Sequence, residues 1–156
     1  VAQVDELAHR HPGILFVVEA DGARHRLIKA PADHEPQIPR RTGLVLILTS
    51  AHALGKGLDA PVVHRPERAA TLLQASQGAA LSTESIAALV SHPEGGLRGI
   101  PEGARALIVL TLWDESTALR DAKGIGRRAL EIASRIERVA VVQLGARHRV
   151  AEVLRR

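Results

Sequence analysis

With 156 residues, a formal net charge of +4 and 46% hydrophobic residues, the chain has the length and apolar content of one globular domain, expected to span residues 1–156. It has no cysteine, which excludes a disulfide framework, a thiolate zinc site and a cysteine nucleophile. No apolar run approaches the roughly 18 residues of a membrane span, and the N-terminus carries no signal-peptide pattern, so the cytoplasm is the expected compartment.

Residues 2–10 read as a short helix, stopped by Pro12 and Gly13. Ile14–Val18 is an apolar run rich in β-branched and aromatic types, which predicts a strand buried on both faces. On that reading Val17→Asp would bury an unpaired charge and unfold the domain. Residues 20–43 carry Pro31, Pro36 and Pro39 and form no regular helix; a loop of that length is usually functional or disordered. Leu44–Leu48 predicts a second buried strand, and residues 50–65 a second loop.

Pro66 opens a helix that runs to about Ser76. Ser82 is placed to cap a helix that ends near Ser91, with Glu84 in its first turn. Ala106–Leu110 predicts a third strand, residues 117–137 a helix weakened by Gly124 and Gly126, Val139–Leu144 a fourth strand and residues 147–155 a last helix. Short apolar strands separated by helices predict an α/β fold, a parallel sheet covered by helices on both faces. In such sheets ligands bind at the carboxyl ends of the strands.

The polar motifs follow strands or lie in loops. Ile14–Val18 ends in Glu19 and Asp21; a strand whose acid holds Mg²⁺ beside nucleotide phosphates has this pattern, but a strand that simply ends in polar residues is common and is the simpler reading. The segment Ser50–Gly57 follows a strand and carries Lys56. It lacks the opening Gly and the Ser or Thr after the lysine that a phosphate-gripping loop needs, so Lys56 is left as an anion contact or a solvated lysine. His34-Glu35, His64 with Glu67, and His92 with Glu94 place a histidine near an acid in three separate loops. Such pairs can bind metal or move protons, although none has a helical ligand spacing, and solvated or capping histidines are the simpler reading. Read as a loop residue, His64 can be changed to Ala with an effect on ligand binding and little on stability. Eighteen of the 21 basic residues are Arg and are spread along the chain; one Trp, one Phe and no Tyr leave little to stack bases, which argues against a single-strand nucleic-acid binder.

Taken together these strings resemble the YqeC family, the selenium-dependent hydroxylase accessory or selenium cofactor biosynthesis proteins. VVEADGARHRLIKAPADHEPQIP (Val17–Pro39) carries the resemblance, followed in order by ALGKGLD (Ala53–Asp59), VHRPER (Val63–Arg68) and HPEGGLRGIP (His92–Pro101). The resemblance implies a P-loop NTPase-like fold, here without the Gly-rich Walker A strand-loop-helix. The chain reads as the part that follows that loop. The resemblance also implies a role in maturing a selenium or molybdopterin-type cofactor of molybdenum hydroxylases of the xanthine dehydrogenase kind. Those hydroxylases or other cofactor-maturation proteins would be the partners, and Mg with ATP or GTP would serve the intact protein. By position Asp21 would be the Mg-side acid, with Glu19 nearby. Lys29, His34 and Glu35 would line the first loop, Lys56, His64, Arg65 and Glu67 the second, and His92 and Glu94 the third.

Two departures bear on nucleotide chemistry. The family's Asn-Lys-x-Asp-like string is replaced by Thr111-Leu112-Trp113-Asp114, and Ser50 and His52 stand where the family tends to have Gly and Asp. A non-enzymatic cofactor- or partner-binding module is therefore the alternative expectation. A metal-binding protein using His34, His64 and His92 is a third. An open sheet edge, where the family's first strand would pair, also leaves room for an oligomer.

Overall fold

The computed structural model describes residues 1–113, 117–145 and 149–156. In chain order the elements are α1 (Ala2–Arg10), β1 (Ile28–Lys29), β2 (Leu44–Ser50), a 3-10 turn at Ala51–Ala53, β3 (Val63–His64), α2 (Pro66–Leu73), α3 (Thr83–Ser91), β4 (Arg105–Leu112), α4 (Thr117–Ile132), β5 (Ile136–Gln143) and β6 (Arg149–Arg155). The fold is mixed α/β. Strands pair in the order β2-β4-β5-β6, the first two pairings parallel and the last antiparallel. A second, two-stranded parallel ladder joins β1 and β3. The Ser50 N–H donates to the Leu27 carbonyl at 3.0 Å, which ties that ladder to the carboxyl end of β2.

The helices begin where the sequence signals place them. Ser82 caps α3: its hydroxyl accepts from the Ser85 N–H at 3.1 Å, and the Ser85 hydroxyl accepts from the Ser82 N–H at 2.7 Å. Pro66 is the first residue of α2, where a missing N–H costs nothing. Gly126, read from sequence as a weakness in α4, has a packing reason. A Cβ there would lie 2.7 Å from Leu154 and 3.0 Å from Val139, so glycine lets α4 lie close on the sheet.

Three expectations are corrected. Ile14–Val18 is not a strand buried on both faces: it pairs with no strand among the described residues, and Leu15 is 87% and Val17 91% exposed. Apolar content alone had suggested a strand, but a strand also needs a neighbour to satisfy its backbone. Within the segment read as a last helix, residues 149–155 form β6, which pairs antiparallel with β5. A register shift opposite Val141 and Val142 explains the pattern: it brings Val150 and Val153 to the same outward face while Leu154 turns inward. The sheet is not covered on both faces. Chain order moves steadily from β2 to β4 to β5, and right-handed crossovers in one direction put their helices on one face. That face buries Ile108, Leu110, Leu112, Val139 and Val141 with Ala122, Ile125 and Ala129 of α4. On the opposite face Leu44, Leu46 and Leu48 of β2 and Val150 and Val153 of β6 remain exposed.

These burials reverse the expectation for Val17. Val17→Asp should leave the melting temperature within the scatter of surface changes, about 0.5 kcal/mol. Ile108→Asp, at a fully buried position of β4, should yield no folded protein. Thermal denaturation of the two variants checks both outcomes; an unfolded Val17→Asp would show that the segment is packed after all.

Candidate functional site

Residues from three loops converge on Glu35, two loops at its carboxylate and the third at its backbone carbonyl. The first loop runs from Asp21 to Glu35 and includes β1. The second begins at β3 and enters α2, and the third leaves α3 at His92. Glu35 Oε2 lies 2.7 Å from Lys29 Nζ and 2.8 Å from Arg65 Nη1, and it accepts from the Ala32 N–H at 3.3 Å. Its Oε1 accepts from Arg65 Nη2 at 3.0 Å, which completes a two-point guanidinium pair. Lys29 Nζ also donates to the Gly22 carbonyl at 3.0 Å and meets Asp21 Oδ2 at 2.9 Å, so its three N–H groups have three acceptors.

Further bonds from Arg98 and Arg68 extend this lock. The Arg98 Nε donates to the Glu35 carbonyl at 3.1 Å and its Nη2 to the Asp33 carbonyl at 3.0 Å. Arg98 also pairs closely with Glu94, and Arg68 Nη2 lies 2.8 Å from Asp33 Oδ1. Lys29, Arg65, Arg68 and Arg98 thus face Asp21, Asp33, Glu35 and Glu94, and their formal charges cancel.

The local backbone serves this arrangement. Arg65 is the N-cap of α2 with φ 63°, a left-handed conformation that a bulky residue before proline rarely takes. Its paired guanidinium offsets that strain. The turn after α3 brings Gly95 and Gly96 against the helix end, where a Cβ on either would sit 2.2 Å from the carbonyl of Leu89 or Val90. Only glycine fits there, and the Glu94 N–H donates to His92 Nδ1 at 3.0 Å within the same turn.

Electrostatics follow from the packing. Burial pushes the Glu35 carboxyl up, but the hydrogen bonds from Lys29 and Arg65 and from the Ala32 N–H outweigh it and hold the group at about 2. His64 sits beside Lys29 in the β1–β3 register. Burial lowers its imidazole below the usual histidine range, and the charges of Arg65, Lys29 and Arg24 push the same way. A neutral, half-buried imidazole bordered by cations can accept a proton or ligate through nitrogen. Both oxygens of the Glu35 carboxylate are committed to their partners.

Of the residues singled out from sequence, Asp21, Lys29, Glu35, Arg65 and Glu94 belong to the lock, and His64 borders it. His34 stands at the rim, exposed, with Nε2 3.9 Å from Glu35 Oε1. His92 is engaged in its own turn. Glu67 and Lys56 are exposed and make no ion pair with the lock among the described residues. Glu19 is likewise exposed. Among the described residues no group of three or more His, Asp or Glu is placed to hold a metal, so His34, His64 and His92 are not gathered into one. Asp114 lies outside the described residues.

Sequence reasoning missed Asp33, Arg68 and Arg98. All three lie inside the distinctive strings, and an acid or arginine at each loop end was the available signal.

The model of the family described as YqeC protein matches residues 1–67. Over 102 residues the chain is 34% identical to the "Uncharacterized protein YqeC" of Escherichia coli (strain K12), a match that covers 65% of this chain and 40% of that protein. The chain therefore spans well under half the length of this curated relative, whose name states no activity. No solved structure matches. Among the described residues no helix is long and apolar enough to cross a membrane.

A carboxyl group held at about 2 in the fold and near 4.5 when unfolded adds stability that is complete above about pH 4.5. That stability is lost as pH falls toward 2. Glu35→Gln should cost about 1.5–3 kcal/mol at neutral pH, the worth of hydrogen bonds to a charged group, and should flatten the acid limb. Urea melts of both proteins from pH 7 to pH 2.5 check it, and superimposable pH profiles would contradict it.

Proposed function

The chain belongs to the YqeC family through its first 67 residues, and on that premise we propose that it is part of an NTPase-like maturation factor for selenium-dependent molybdenum hydroxylases. It would handle a selenium or molybdopterin-type cofactor, and a hydroxylase of the xanthine dehydrogenase kind or another maturation protein would be its partner. The observation that carries the reading is the Glu35 lock. Three sequence-distinctive loops are held together at Glu35, through its carboxylate and its backbone carbonyl, beside the carboxyl end of β2. Rigidly held loops at the carboxyl ends of strands are where α/β proteins bind ligands.

Within this reading the residues have separate tasks. Lys29, Arg65 and Arg98 fix the loops. Arg24 and His64 border them and favour an anionic ligand, with His64 neutral and able to take a proton. Asp21 places one oxygen on Lys29 Nζ, and its other oxygen is the donor offered to Mg²⁺. A single carboxylate suits that ion, since phosphate oxygens and water commonly complete its shell. Bound Mg²⁺ would shield the charge of the nucleotide phosphates.

A second reading, a non-enzymatic cofactor- or partner-binding module, is favoured by one specific observation. The charges of the lock satisfy one another, so no carboxylate in it is left over as a general base.

Calorimetric titration with Mg²⁺ and ATP or GTP separates the two. The first reading expects saturable heat in the micromolar range, weakened by Asp21→Asn. No heat at millimolar nucleotide would remove nucleotide handling from this chain and leave the binding module.

A further inference from the structure

We propose that Trp113 is a stacking platform for the planar, nitrogen-rich bicyclic ring of a purine or a pterin. The inference rests on the reading that the chain binds a nucleotide or a pterin-type cofactor, and it adds where the ring lies.

Trp113 is the sole tryptophan of the chain and is 62% exposed. It follows the last residue of β4, the middle strand of the parallel part of the sheet. An indole on a loose loop would be an ordinary surface residue. Here the main chain beneath it is clamped from both sides.

On one side the Trp113 N–H donates to His52 Nε2 at 2.9 Å. His52 belongs to the 3-10 turn after β2, and its own N–H donates to Ser50 Oγ at 3.3 Å. On the other side the Trp113 carbonyl abuts Gly145, where a Cβ would lie 2.7 Å from that oxygen. The neighbouring Leu144 N–H donates to the Leu112 carbonyl at 2.8 Å. The ends of β2, β4 and β5 therefore fix the Trp113 backbone together while most of its ring stays in water.

Leaving an indole in water forfeits the burial that aromatic side chains usually gain. Holding its backbone still removes part of the entropy a ligand would otherwise have to quench. The site also lies at the carboxyl ends of parallel strands, the ligand-binding edge of such sheets. An indole face suits a flat bicyclic heterocycle, and stacking of that kind tolerates different rings because each has a π-face. A phosphate or a metal alone gains nothing from it.

The single tryptophan supplies its own signal. ATP, GTP and pterin are titrated separately while fluorescence and calorimetry are read in parallel, with inorganic pyrophosphate as the control that has no ring. Saturable quenching by a ring ligand and none by pyrophosphate is expected, and the arm that responds distinguishes purine from pterin. Trp113→Phe should keep affinity within a few-fold. Trp113→Ala should weaken it about five-fold or more, the lower end of aromatic stacking on a base. The melting temperature of both variants should be unchanged, because the side chain is exposed.

Calorimetric binding of a ring ligand with undiminished affinity in Trp113→Ala would overturn the platform and leave the cofactor-binding reading standing. Neither heat nor quenching with any of the three ring ligands would overturn both.

Discussion

The site depends on one carboxylate. Glu35 accepts from Lys29, from both arms of Arg65 and from the Ala32 N–H, while its own carbonyl accepts from Arg98. Each partner comes from a different place: Lys29 from β1, Arg65 from the entrance to α2, Arg98 from the loop beyond α3. The loops between these elements are long and proline-rich, with little backbone pairing to define them. Charge-assisted bonds at a half-buried point do for these loops what a ladder does for a strand. The left-handed backbone at Arg65 and the glycine pair at 95–96 are conformations that such a lock can hold.

The remainder of the fold presents that lock and leaves a second surface open. Helix α4 covers one face of the sheet, α3 packs against α4, and Gly126 lets α4 settle close to the strands. The other face keeps the apolar row Leu44, Leu46 and Leu48 in contact with water, and Ile14–Val18 carries exposed apolar side chains with no ladder of its own among the described residues. Exposed apolar surface of this kind is uncommon on a monomer. The proposed ligand chemistry sits at the carboxyl ends of the strands.

Much of this was legible in the sequence, and the reasons for the remainder are physical. β2, β4 and β5 declare themselves by runs of apolar, β-branched residues, although β2 is not buried on both faces as expected but keeps Leu44, Leu46 and Leu48 exposed. Ser82 and Pro66 mark helix starts because the chemistry of a cap is local. Ile14–Val18 misled because composition does not say whether a neighbouring strand exists to accept its backbone bonds. β6 reads as a helix because 147–155 mixes charged and apolar residues in a pattern compatible with either period, and pairing with β5 decided it. Within the site, Lys29, Glu35 and Arg65 stood out individually. Their convergence did not, since the contacts span 30 or more residues of chain for Arg65 and 63 for Arg98.

The central claim is that three loops form one unit through Glu35. Amide hydrogen exchange on the wild-type chain and Glu35→Gln tests it most directly. If Glu35 joins the loops, exchange speeds up in residues 27–36, 63–68 and 92–98 together, with α4 and the central strands unchanged. Faster exchange confined to residues 27–36, with the other two loops protected as before, would contradict it.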